Sequence, residues 1–188
     1  VQTCALPIYD EIFLDAGSYD GQTTKEFMEW CGGDYKKIYV FEPMRDAFEI
    51  SLNNLKSYPN IEFCNCALSS EIGTAKFSQM YSGMMGSRLG ADGDFVENVK
   101  VNSIDNMLKG ERVTFIKMDI EGAELSALKG AECILKKFKP NLAISLYHKN
   151  EDLYEIPLWL KNAVPEYRFY IRHYSNKRWD MVLYCVAE

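Results

Sequence analysis

Residues 13–24, FLDAGSYDGQTT, run from apolar residues into an acid and then into a loop holding two glycines. The following QTTKEFMEW places Phe27, Trp30 and Cys31 at helical spacing, so the stretch reads as strand, turn and helix. Gly17 lets the chain turn sharply, and Gly21 lets the helix approach the strand closely. A helix start also offers unpaired backbone N–H groups. Two explanations fit a carboxylate at this junction: an ordinary tight turn, or a small molecule pressed against the backbone.

The same unit repeats in kind along the chain. KKIYVFEP is a second buried strand stopped at Pro43, and MRDAFEISLNNL sets Met44, Phe48, Leu52 and Leu55 on one helical face. NIEFCNCAL reads as a third strand, VTFIKMD as a fourth and NLAISLY as a fifth. Short strands are expected near TAKFS and NVKVN, and a brief helix at SIDNML. AELSALKGAECILKKF is helical with an interruption at Gly130, and EDLYEIPLWLKNAV is helical with a restart at Pro157. YRFYIRHY and DMVLYCV, joined by SNKRW, read as a closing hairpin. Alternating strands and helices with apolar strands predict an α/β fold. The expected sheet is mostly parallel, with helices on both faces and an antiparallel member at the edge.

The chain has 188 residues, which suits a single domain, taken as residues 12–188. Residues 1–11 lack periodicity and begin with Val, so they are read as a truncated or non-native junction. The net charge is −6 and the basic residues do not cluster, which argues against a nucleic-acid backbone as partner. No apolar run approaches the roughly 18 residues of a membrane span, and no secretory leader is visible. Six cysteines without a CxxC pair read as reduced, buried thiols of a cytoplasmic protein. Two histidines and no CxxC argue against zinc, and no metal site is expected.

Ligands of open α/β sheets bind at the carboxyl ends of the strands, and that rule selects five places. At Asp15, Gly17 and Gly21 a dinucleotide fingerprint would need Gly first; Asp suits an ammonium or a sulfonium better than a pyrophosphate. Glu42, before Pro43, can accept both hydroxyls of a ribose, or be a surface acid. Cys66 and Ala67 lie in a run of small residues with room for an adenine ring, or at a plain strand end. Lys117, Asp119 and Glu121 alternate, so all three are expected on one face. Buried charges are costly unless paired, and a structural Lys117–Asp119 pair is the competing reading. A carboxylate pair alone would hold only a hard, weakly bound ion such as Mg²⁺. His148, after the fifth strand, can take a proton from a hydroxyl, or face solvent in a loop. His173, beside Arg172 and Tyr174 in the last hairpin, is read as structural, with a substrate-lining role as the alternative. The Gln79–Val96 segment is long enough for a lid, with disorder as the alternative.

These residues resemble the FkbM family of S-adenosylmethionine-dependent methyltransferases. The resemblance rests on FLDAGSYDGQTT, YVFEPMRDAFEISLNNL, CALSS, VNSID, FIKMDIEGAELSALKGA and LAISLYHKNEDLYEIP, in the family's order over about residues 12–186. It implies a seven-stranded Rossmann-like class I methyltransferase sheet with one antiparallel strand near the edge. It implies S-adenosyl-L-methionine as cofactor, held by Asp15, Gly17, Ser18, Tyr19, Gly21 and Thr23 at its methionine part. Glu42 and Pro43 would lie at the ribose, Cys66 and Ala67 near adenine, and Asp119 and Glu121 near the methyl group. The implied reaction is O-methylation of a hydroxyl on a small-molecule or saccharide acceptor, with His148, Asp119 and Lys117 as catalytic candidates. A nicotinamide-dependent reductase and a non-catalytic cofactor-binding protein are the alternatives. Two departures stand out: GSYDG where the family often has GANxG, and no sequence ahead of the first strand comparable to that of some members.

Overall fold

The computed structural model describes residues 10–79, 87–89, 95–176 and 179–187. In chain order the elements are β1 (Glu11–Ala16), α1 (Gln22–Trp30), β2 (Tyr35–Phe41), α2 (Arg45–Leu55), β3 (Ile61–Cys64) and β4 (Ala67–Leu68). They continue with β5 (Gly73–Gln79), β6 (Ser87–Leu89), β7 (Phe95–Asn102), α3 (Ile104–Leu108), β8 (Phe115–Met118) and α4 (Glu124–Lys129). The last are α5 (Glu132–Phe138), β9 (Asn141–Ser145), α6 (Asp152–Ala163), β10 (Tyr167–His173) and β11 (Met181–Ala187).

Seven strands form one sheet in the order β10-β11-β9-β8-β1-β2-β3. The β1–β2, β2–β3, β1–β8 and β8–β9 pairs are parallel. β11 runs antiparallel to both β9 and β10, so the one reversed strand sits second from the edge. The chain builds outward in both directions from β1 and β8, which makes their shared boundary the switch point where ligands of such sheets bind.

The faces follow strand parity. Ile12, Leu14 and Ala16 join the main core, which also takes Ile116, Met118 and Ile144 and residues of α3 to α6. Phe13 points the other way, into a smaller core with Phe27 and Met28 of α1 and Leu55 of α2. Phe13 and Phe27 stack with ring centroids 4.1 Å apart. Each face is therefore covered by helices, as the apolar strands require. No helix among the described residues is long and apolar enough to cross a membrane.

Several expectations change in detail. The third strand ends at Cys64, because the chain turns at once, the Cys66 N–H donating to the Cys64 carbonyl. Ala67–Leu68 instead joins a second, four-stranded sheet, β4-β7-β5-β6, which the local pattern shows only as scattered short strands. Trp30 lies half in solvent at the end of α1. On α2 the buried stripe is Ala47, Ser51 and Leu55, flanked by half-buried Phe48 and Leu52. α6 does not restart at Pro157 but runs through it. The missing N–H costs one bond, while Ile156 and Leu160 anchor the helix to the core on both sides. The helix after β8 does break at Gly130, where a Cβ would meet the Ser69 carbonyl oxygen at 2.2 Å. Cys64, Cys66 and Cys185 are free thiols buried in the main core. Burial pushes the Cys64 thiol up to about 12 and that of Cys66 to about 11. The expected lid falls largely outside the described residues.

Candidate active site

The carboxyl ends of β1, β2, β3 and β8 are stitched together by their backbones. The Gly17 and Ser18 N–H groups donate to the Phe41 carbonyl at 3.0 and 3.3 Å, and Glu42 N–H donates to Cys64 at 3.2 Å. Asp119 N–H donates to Ala16 at 3.0 Å. Gly17 has φ +80°, and a Cβ there would lie 2.0 Å from the Asp119 carbonyl oxygen. Only glycine satisfies both conditions. Gly21, at φ +84°, starts α1 against Leu55.

Glu42 is buried at the end of β2. Its Oε2 accepts the Tyr19 N–H at 3.0 Å and its Oε1 the Met44 N–H at 3.0 Å. Burial raises its pKa, and those two backbone donors oppose the rise. Each oxygen retains a lone pair for a hydroxyl. Asn65, which opens the expected adenine-side run with Cys66 and Ala67, donates from Nδ2 to the Glu42 and Pro43 carbonyls at 2.9 and 3.0 Å and fixes this corner. Tyr19 is exposed and holds a left-handed φ of 51° above it. Ser18 is buried, its hydroxyl 3.2 Å from that of Ser51. Cys66 turns its side chain into the main core and Ala67 into a third apolar cluster with Met44, Ala47 and Phe77, so any ligand contact there falls to their backbone.

Asp15 behaves differently from its expected role. It is wholly buried, and it shares Phe13's face, toward α1. Its Oδ2 accepts the Thr24 hydroxyl at 2.7 Å, and Lys117 Nζ lies 3.0 Å from Oδ1. Thr24, rather than Thr23, faces inward: it shares a helical face with Phe27 and Met28, a phase readable in the sequence. Lys117 also donates to the Gly17 carbonyl at 2.7 Å. The anticipated Lys117–Asp119 pair is thus replaced by Lys117–Asp15, because those two residues are register partners across β1 and β8.

β8 ends at Met118, so the expected alternation through Glu121 does not persist; Glu121 adopts φ 58° in the turn before α4. Asp119 and Glu121 instead meet His148, which follows β9. His148 Nε2 lies 3.4 Å from an oxygen of each. Its Nδ1 lies 2.9 Å from Oε1 of Glu124, a wholly buried acid at the start of α4 that composition and spacing did not single out. Glu124 Oε1 also accepts the Ile120 N–H at 2.9 Å. Tyr147 donates its hydroxyl to both Asp119 oxygens, at 2.8 and 3.0 Å. Burial and then the Asp119 charge raise the Tyr147 pKa, keeping it a donor. Burial opposes the charged form of His148, but the hydrogen bond and charge of Glu124, with Asp119 and Glu121, outweigh it and raise the imidazole pKa. Lys149 donates to the Gly122 carbonyl and ties the two loops together.

The arrangement offers an interlocked backbone cradle, a buried acid ready for hydroxyls, and an imidazole among three carboxylates on the adjoining loops. Comparisons with known proteins agree with that reading of the fold. A crystal structure of methyltransferase FkbM from Methylobacillus flagellatus superposes with a TM-score of 0.80 at 29% identity, covering 94% of this chain and 44% of that one. The present chain therefore spans less than half the length of that relative. An rRNA methylase from Streptococcus thermophilus matches in fold with a TM-score of 0.58 at 17% identity, over 95% of this chain and 87% of the other. Aeropyrum pernix fibrillarin, crystallised with natively bound S-adenosyl-L-methionine, gives 0.58 at 12% identity, over 96% and 69%. No curated protein sequence gives a significant match. The family model described as the methyltransferase FkbM domain matches residues 15–171, and the chain belongs to that family.

Proposed function

We propose that the chain binds S-adenosyl-L-methionine at the carboxyl ends of β1, β2 and β8 and transfers its methyl group to a hydroxyl oxygen. The acceptor class is a saccharide or a secondary metabolite. The observation that carries this reading is the direct attachment of the acid–imidazole cluster to the cradle: the Asp119 backbone caps β1 and fills the space beside Gly17, while the Asp119 side chain faces His148.

The residues fit the cofactor. Glu42 keeps acceptor capacity for ribose hydroxyls, and Gly17 leaves a surface without a side chain. Asp15 is committed to Lys117 and Thr24, so its part is to hold the loop rather than to touch an ammonium. When bound, the cofactor supplies a methyl group already activated on a sulfonium. The chain then has to align the acceptor oxygen with it and receive the hydroxyl's proton, which is catalysis by positioning. Asp119 or His148 receives that proton. Against the opposing burial, Glu124 with Asp119 and Glu121 raises the pKa of His148, which strengthens its neutral imidazole as a base. Three acids around the acceptor's approach disfavour a phosphate backbone and favour a hydroxyl-rich one.

Calorimetry with S-adenosylhomocysteine, followed by labelled-methyl transfer to a panel of saccharides and metabolites, tests the reading. One homocysteine adduct bound per chain and a stable methyl ether are expected. Absence of binding, or methyl appearing only on nitrogen or carbon, overturns it.

A further inference from the structure

We infer that Glu124 is a positioning residue: it holds the His148 imidazole with its proton on Nδ1 and leaves Nε2 as the atom that takes the acceptor's hydroxyl proton. The role rests on the methyl-transfer reading; the geometry beneath it does not. His148 Nδ1 lies 2.9 Å from Glu124 Oε1, within the range of about 2.7–2.9 Å for a charge-assisted hydrogen bond. A carboxylate only accepts, so the ring nitrogen facing it carries the proton. The other nitrogen then keeps its lone pair. Nε2 stands 3.4 Å from Asp119 Oδ1 and from Glu121 Oε2, outside that range.

The two nitrogens also differ in their surroundings. The Glu124 side chain is 0% exposed, whereas those of Asp119 and Glu121 are 35% and 34% exposed. Nδ1 therefore faces the interior, and Nε2 faces the open side of the loops, where an acceptor can arrive. Both partners are held in place. Glu124 Oε1 accepts the Ile120 N–H at 2.9 Å, and the Tyr147 ring packs against the imidazole with centroids 4.2 Å apart. Among the described residues His148 is the one ionic partner of Glu124. A buried carboxylate without a cation is destabilising, and uptake of a proton at Nε2 supplies that cation. As the acceptor oxygen bonds the methyl carbon, the sulfur keeps the electron pair of the broken carbon–sulfur bond and the hydroxyl proton passes to Nε2. Glu124 stabilises the imidazolium so formed from the buried side of the ring.

The test uses the full chain labelled with ¹⁵N. It has two histidines, and His173→Gln removes the second set of ring signals. Long-range ¹H–¹⁵N spectra read which nitrogen of neutral His148 is protonated, and a pH titration reads the midpoint. Protonated Nδ1 is expected, the tautomer that free histidine disfavours. The groups around the ring are Asp119 and Glu121 after β8, Glu124 of α4, the neighbours Tyr147 and Lys149, and Asp152 of α6. Glu124→Gln keeps the shape and removes one of the negative charges, so the midpoint should fall by at least about one pH unit. Glu124→Asp should restore part of that shift. On an acceptor found in the saccharide panel, Glu124→Gln should lower kcat about 10²-fold, with KM and S-adenosylhomocysteine affinity nearly unchanged. Protonated Nε2 in the neutral parent, an unmoved midpoint, or parent-like kcat in Glu124→Gln overturns the inference. If circular dichroism shows that Glu124→Gln does not fold, the tautomer of the parent decides. Protonated Nε2 in a chain that binds S-adenosylhomocysteine sinks the positioning role alone; protonated Nδ1 in a chain that does not bind it sinks the methyl-transfer reading and leaves the Glu124–His148 pairing.

Discussion

Asp15 and Lys117 face each other as register partners on neighbouring parallel strands, and their charged atoms close to 3.0 Å beneath the glycine loop. Asp15 is fully buried and Lys117 nearly so, with 16% of its side chain exposed. Removing one member of such a pair strands the other. Asp15→Ala should therefore lower unfolding stability by about 3–5 kcal/mol, read from urea denaturation. Replacing both residues with apolar ones of similar volume should recover much of the loss. An unchanged denaturation midpoint for the single variant would contradict a structural pair.

Gly17→Ala should abolish binding of S-adenosylhomocysteine and lower the melting temperature together. The added methyl group meets the Asp119 carbonyl oxygen at 2.0 Å and is forced into φ +80°. Gly21→Ala should be milder, because its nearest obstruction is the flexible end of Leu55 at 2.8 Å. Equal effects of the two substitutions would show that the close approach of β8 to the loop is not decisive.

Glu42→Ala should weaken the same ligand about tenfold or more, since hydrogen bonds to a charged group contribute about 1.5–3 kcal/mol. It also frees the Tyr19 and Met44 N–H groups, so a modest fall in melting temperature should accompany the loss. Full affinity in a calorimetric titration would remove Glu42 from the site.

His148→Ala and Asp119→Asn should reduce turnover by about 10²–10⁴-fold on the true acceptor, the range for a lost proton-transfer group. Affinity for S-adenosylhomocysteine should change far less, because neither side chain lies in the glycine cradle. Parent-like turnover by both variants would displace the acid–imidazole cluster from the chemistry.

Asp152, in the first turn of α6, is buried, and burial together with the Glu124 charge pushes its carboxyl up to about 6. A raised carboxyl stabilises the fold while protonated. That contribution is full below the unfolded value of about 3.9 and is lost as pH rises through about 6. Asp152→Asn, which mimics the neutral acid, should therefore raise the melting temperature at pH 7.5 and leave it nearly unchanged at pH 4. A chain of this size shifts roughly 2–4 °C per kcal/mol. The same gain at both pH values would refute the linkage.

Much of the fold was legible because its signals are local. Apolar strands of four to seven residues, helical spacing in α1 and α4, and glycine at Gly17 and Gly130 each report on neighbours only a few positions away. The antiparallel strand near the edge followed from the hairpin spacing before Met181. The second sheet was less visible, since β4 pairs in parallel with β7 more than thirty positions later. Pro157 misled because local propensity marks a boundary there, whereas packing of Ile156 and Leu160 keeps α6 whole.

For the site, the sequence alone determined which acids and glycines end the strands, because strand ends are set by local pattern and the topology of an α/β sheet sends them to one edge. Only the tertiary structure decided who pairs with whom. Register across β1 and β8 joins Lys117 to Asp15 instead of Asp119, and the turn after β8 swings Asp119, Glu121 and Glu124 onto His148. Those partners lie from 24 to 102 positions apart, and Coulomb attraction depends on distance in space, which chain spacing does not encode.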